Sequence, residues 1–174
     1  MRNKLVQKLA RGAVIAAVYA VLTLILPMLS YSPLQIRFSE ALTVLPFFLP
    51  EAIPGLAIGC FIANLIGSPY VLDWVFGTLA TLIAAFWTSK MKNKWLAPLP
   101  PVICNMVIVG AEIAWMEAGS INSAFFPAWA YNGLTVGIGE LIACYILGIL
   151  LIKILSKVEY FRNIVPEDRA DRLN

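Results

Sequence analysis

The stretch LQIRFSEALTVLP, residues 34–46, places an arginine and a glutamate three positions apart between two apolar runs. Its reading decides the fold. If the apolar runs on either side are helices in a membrane, Arg37 and Glu40 are a surface anchor, a structural ion pair or part of a site. The next stretch, FFLPEAIPGL (residues 47–56), carries two prolines and one glutamate, so a tight turn is expected there.

The composition supports the membrane reading. Of 174 residues, 60% are hydrophobic and 13% charged, and the mean hydropathy is +0.82. Soluble domains hold about 45–50% apolar and about 25% charged residues. A helix that crosses the hydrocarbon core needs about 20 apolar residues. Six segments come near this: 9–28, 38–49, 52–67, 72–89, 97–116 and 132–155. The second and third are short. The opening MRNKLVQKLARG does not read as a cleaved secretory signal, because the apolar run after it is too long and no small-residue cleavage site is evident. The expected fold class is an all-α integral membrane protein with six transmembrane helices. Its parts are a cytoplasmic N-terminal segment 1–8, a membrane domain 9–155 and a cytoplasmic tail 156–174.

Six spans put both termini on one side. Of the 13 basic residues, all but Arg37 then fall on that side: before the first segment, between the fourth and fifth, and after the sixth. The positive-inside rule makes this N-in and C-in.

The sequence also excludes chemistry. There is no histidine, which removes imidazole acid–base catalysis and His-ligated metals. No GxxxxGK[ST] motif occurs, so ATP hydrolysis by this chain is not expected. Cys60, Cys104 and Cys144 lie far apart in apolar runs and match no metal or redox spacing. They read as small buried side chains. A membrane enzyme therefore finds no support, and neither a cofactor nor a nucleic-acid partner is expected.

With the orientation fixed, depth follows from a rise of about 1.5 Å per residue. Asn64 lies near the outer end of the third segment, and Asp73 and Trp74 open the fourth from outside. Asn105 is near the middle of the fifth, with Glu112 seven residues further out on about the same face. Glu140 lies about eight residues into the sixth, on one face with Asn132 and Val136. Charged groups inside a membrane face the protein interior and mark substrate or ion paths. Trp74, Trp115, Trp129 and Tyr131 lie at the level of Glu112 and Glu140. Carboxylates with aromatic rings suit a flat, polar small molecule, whether neutral or cationic. The alternatives are internally paired glutamates and tryptophans of the interfacial belt. On the first segment, Ala10, Ala13, Ala17 and Ala20 share a face, and Ala16 widens it. Small residues so spaced let another helix approach closely, either a partner's or one of the same bundle. Gly133 and Gly137 form a similar pair, expected to pack within the chain.

The runs LQIRFSEALTVLPFF, AIPGLAIGCFIANLIGSP and LDWVFGTLATLIAA resemble the QueT family of substrate-binding S components of energy-coupling factor transporters. The residues that carry the resemblance are Arg37, Phe38, Glu40, Pro46, Pro54, Gly55, Gly59, Asn64, Asp73 and Gly77, together with Ala13 and Ala17, and it extends over about residues 10 to 155. The resemblance implies an S-component-like bundle in a bacterial cytoplasmic membrane. It implies capture from outside of a queuosine precursor, a 7-deazaguanine such as prequeuosine base or queuine. It also implies partners: a transmembrane T component and two ATPases, docked through Ala13 and Ala17. A 7-deazaguanine presents a ring N–H beside an exocyclic amine, which one carboxylate can accept together. Glu140 or Glu112 is expected to read that edge, with Asn105 and Asn64 as amide contacts. Trp74 or Trp115 would stack on the ring, with Asp73 and Tyr131 alongside. The loop between the first two segments would close as a lid, held by Arg37 and Glu40. Competing readings are an S component for another vitamin and a proton-coupled secondary transporter that uses Glu112 and Glu140.

Overall fold

The computed structural model describes residues 2–30 and 35–173, and among these every regular element is helical. The long N-terminal helix α1 (Arg2–Ile25) is rich in Ala, Val and Leu and is broken before Pro27, which has no N–H to give. Pro27 instead opens a short turn, α2 (Pro27–Ser30). A 3₁₀ helix (Phe38–Phe47) follows, with Pro46 inside it. At about 2.0 Å per residue it reaches further than ten α-helical residues would, which offsets the shortness of this segment. The expected tight turn is present: Ala52 N–H donates to Leu49 O at 3.0 Å and Ile53 N–H to Pro50 O at 3.1 Å. The chain then enters α3 (Ala52–Gly67).

The remaining helices share a device. A π turn at Asp73–Gly77 leads into α4 (Thr78–Lys90). Helix α5 (Leu99–Cys104) passes through a π turn at Asn105–Val109 into α6 (Gly110–Ala118), giving one rod. Gly119, at φ +70°, ends that rod in the left-handed conformation that a residue without Cβ adopts at no steric cost. Helix α7 (Phe125–Leu141) likewise runs through a π turn at Ile142–Gly148 into α8 (Ile149–Leu155). The tail forms α9 (Glu159–Ile164) and a closing 3₁₀ turn (Glu167–Leu173).

Each of the six apolar segments read from the sequence is helical, but two begin earlier than expected. Helix α1 starts at Arg2 and α7 at Phe125, because polar and aromatic residues at a membrane boundary extend a helix without raising its hydropathy. Three helices are long and apolar enough to cross a membrane: Asn3–Ile25, Leu99–Ala118 and Phe125–Leu155. The apolar helices Phe38–Phe47 and Ala52–Gly67 are shorter. The outside of the bundle is itself greasy, with Val14, Val21, Ile66, Phe86, Leu134 and Ile146 all exposed. So large an apolar surface belongs in lipid rather than water, and the protein is membrane-embedded.

Close backbone approach sets the packing. Helix α1 lies against α3 through small residues. A Cβ added to Gly55 would stand 2.5 Å from the carbonyl oxygen of Gly12, and one on Gly59 2.6 Å from that of Ala16. The alanine stripe therefore divides. Ala16 and Ala20 are buried, whereas Ala10, Ala13 and Ala17 face outward. Gly133 packs within the chain as expected, with a Cβ there 2.9 Å from Met106 O.

The tail is tied to the C-terminal end of the 3₁₀ helix. Arg169 Nη1 donates to Pro46 O at 2.6 Å. Arg172 Nη1 donates to Phe47 O at 2.5 Å and to Ser89 O at 3.2 Å. Phe161 and Val165 are buried in the same core as Phe47 and Phe48.

Gly55→Val should cost about 1–3 kcal/mol or more, since the backbone of Gly12 on α1 blocks the added carbons. Ala13→Val, on the outward face, should leave stability within about 0.5 kcal/mol. Thermal unfolding of the purified variants in detergent checks both.

Candidate functional site

Four charged side chains are buried toward one region of the bundle, and each comes from a polar position in an apolar run. Arg37 precedes the 3₁₀ helix and is 5% exposed. Glu40 lies on that helix at 1%, Glu112 on α6 at 5% and Glu140 on α7 at 2%. The Arg37 guanidinium is close enough to act electrostatically on all three glutamates. Its Nε also donates to Ser30 O at 3.1 Å.

The deeper part of the site joins Glu40 to Glu140. Their carboxylates and the Cys144 thiol lie within 4.8 Å of one another. Cys144 Sγ donates to Glu140 Oε2 at 3.3 Å and to the Glu40 carbonyl at 3.6 Å, and Asn105 faces Glu140. The Tyr19 hydroxyl donates to Glu40 Oε1, while Oε2 is buried with no hydrogen-bond partner. Among the described residues this is the one cluster with three donors of metal-ligand type, but those donors also hydrogen-bond within the protein.

Above it, Glu112 stands in the wall of a cavity of about 510 Å³. Among the described residues neither of its carboxylate oxygens makes a hydrogen bond of good geometry, and Asp73 is a polar side chain that couples to it. Leu72, Phe76, Trp115, Phe125 and Trp129 line the same cavity. Trp129 is pinned there by its Nε1, which donates to Val107 O at 3.0 Å. A buried carboxylate with vacant oxygens is costly. Here it faces an aromatic chamber able to admit a flat molecule that carries N–H groups.

The other expected residues divide by role. Asn64 Nδ2 donates to Asp73 O at 2.9 Å, tying α3 to the π turn that opens the fourth helix. Asp73 accepts a hydrogen bond from Ser68 Oγ and also acts electrostatically on Glu112. Trp74 Nε1 donates to Ser68 O at 3.1 Å. None of these three lines the cavity itself, but they fix the π turn whose neighbours Leu72 and Phe76 do. Tyr131 is 66% exposed and does not line the cavity. Glu40, expected at a rim, lies in the interior beside Glu140. Residues 31–34 of the expected lid loop lie outside the described residues.

Two features escaped the sequence reading. Tyr19, buried on α1 among alanines, holds Glu40 in place. The three π turns lie at the site: two begin at Asp73 and Asn105, and the third starts two residues after Glu140. Such turns gather at functional sites, because the extra residue re-aims side chains and loosens the backbone ladder. A lone polar residue in mid-helix was the available signal.

Apolar helices closed around buried charge and an aromatic chamber define a membrane-embedded protein built to handle a polar solute. The sequence profile of the QueT transporter family matches residues 9–157, and the chain belongs to that family. A relative from Lactococcus lactis subsp. cremoris (strain MG1363), named queuosine precursor transporter QueT, is 25% identical over 166 residues, covering 86% of this chain and 93% of the relative. No solved structure matches.

Tyr19→Phe removes the donor to Glu40 Oε1 and leaves both oxygens of that buried carboxylate without a partner. The variant should lose about 1–3 kcal/mol of stability, read as an earlier unfolding transition in detergent. An unchanged transition would mean that Glu40 does not depend on this bond.

Proposed function

We propose that this chain is the substrate-binding S component of an energy-coupling factor importer and that it captures a queuosine precursor, a 7-deazaguanine, from outside a bacterial cytoplasmic membrane. The family match and the name of the relative support this substrate class. The observation that carries the site is the Glu112 carboxylate, buried, without a hydrogen-bond partner of good geometry among the described residues and set in an aromatic cavity. In this reading Glu112 accepts the ring N–H and exocyclic amine of the guanine-like edge, while Trp115 and Trp129 flank the ring. Asn105 and the Glu40–Glu140 pair lie deeper. An ammonium group on the C7 substituent would meet two carboxylates there, at a spacing that one cation can bridge. Asn64, Asp73 and Trp74 hold the wall. Arg37 balances the buried carboxylates and anchors the segment that follows the lid loop.

The topology in this reading is six spans, N-in and C-in, with every basic residue except Arg37 on the cytoplasmic side. Ala13 and Ala17 lie on the outward face of α1, where a T component can approach closely. ATP hydrolysis falls to two partner ATPases, in keeping with the lack of a phosphate-binding loop in this chain.

Binding of 7-aminomethyl-7-deazaguanine to the purified protein, followed by calorimetry, tests the assignment. Glu112→Gln should weaken binding about tenfold or more, because the amide presents a donor where the ligand also donates. Glu140→Gln should weaken it by a similar factor. Wild-type affinity in both variants would overturn the site. Binding of thiamine, folate or riboflavin, with none of the deazaguanine, would overturn the substrate class.

A further inference from the structure

A second cavity, of about 370 Å³, opens at the end of the bundle that carries the basic residues. Lys94, Lys153, Lys157 and Arg162 line it, and among the described residues no acidic side chain does. Its position is set by the sequence. Lys153 falls in the last turn of α8, at the end of the apolar rod Phe125–Leu155. Lys157 and Arg162 follow in the turn and in α9, and Lys94 comes from the loop after α4.

The cavity is graded in polarity. Its inner wall is apolar, formed by Ile149 and Ile152, both buried. Its mouth is cationic, with Lys153 Nζ 5.7 Å from the centroid of the half-exposed Trp95 ring. On the outer side of the same rod Ile146, Leu150 and Ile154 are exposed, forming an apolar strip that leads along the helix away from the cationic end. A tryptophan at this level is the usual marker of the membrane–water interface. We propose that this cavity is a binding site for the phosphate-bearing headgroup of an anionic phospholipid, with the acyl chains lying along the exposed strip of the third π turn and α8. Three observations select this ligand. Among the described residues the charged side chains lining the cavity are all basic, the volume suits a glycerophosphate headgroup rather than a whole lipid, and the apolar strip begins where the cationic end stops. Basic pockets between helices at the cytoplasmic face are suited to such headgroups. The site lies apart from the glutamate cluster and does not depend on what that cluster binds.

The test is thermal unfolding of the purified protein in detergent, with phosphatidylglycerol, phosphatidylcholine or inorganic phosphate added at equal concentration. Phosphatidylglycerol should raise the midpoint by several degrees, and the other two should not. The double variant Lys153→Gln/Lys157→Gln should lose most of that rise. Lys4→Gln/Lys8→Gln, which removes the same charge from the exposed start of α1, should keep it. The proposal is overturned if phosphatidylcholine stabilises equally, if inorganic phosphate alone gives the rise, or if both double variants respond alike. Should the Lys153/Lys157 variant fail to fold, native mass spectrometry of the wild type decides. Phosphatidylglycerol retained in preference to phosphatidylcholine supports the site, and equal retention removes it.

Discussion

Charge taken out of water has to be balanced where it lies, and this bundle does so around Arg37. Its guanidinium lies within electrostatic range of glutamates from three separate elements: Glu40 from the 3₁₀ helix, Glu112 from α6 and Glu140 from α7. A buried charge with no opposite charge in range is costly, so the arginine and the carboxylates are better tolerated together than apart. The positions of the three elements are therefore linked. The neutral groups Tyr19, Asn105 and Cys144 complete the network by giving hydrogen bonds or dipoles to the carboxylates. What they leave open, at Glu112 above all, is unsatisfied hydrogen-bonding capacity facing the aromatic cavity.

The rest of the fold serves that arrangement. Helix α1 touches α3 backbone to backbone through Gly55 and Gly59, and this contact brings Tyr19 up to Glu40. Because glycine and alanine meet there, α1 sinks one face into the bundle and turns Ala13, Val14 and Ala17 outward. One face of the helix is thus packed and the other left exposed. The π turns act in the same sense on the facing helices, since each shifts the register of the side chains beyond it by about 100° of helix rotation.

Much of this was legible in the sequence, and the exceptions have physical causes. Polar residues in long apolar runs had to face inward, so Glu112, Glu140, Asn105 and Asn64 were found by hydropathy and helical spacing. Glu40 was read as a rim residue because depth was counted from a loop, whereas a 3₁₀ helix advances further per residue and carries it into the interior. Tyr131 was grouped with the site by depth alone. It is adjacent to the buried Asn132 but about 100° away around the helix, and so it faces outward. The π turns leave no mark on a hydropathy profile, because they change hydrogen-bond register and not composition. Tyr19 was hidden among alanines: its partner comes from another element, and no local pattern reports a tertiary hydrogen bond.

The clasp between the tail and the 3₁₀ helix bears on the order in which the protein is made. The carbonyls of Pro46 and Phe47 accept hydrogen bonds from Arg169 and Arg172, residues more than 120 positions later in the chain. A ribosome delivers the acceptors long before the donors. Through most of synthesis these carbonyls must rely on water or lipid headgroups, with the C-terminal end of the 3₁₀ helix still open. Of all the elements that carry a buried charge, this one is finished last.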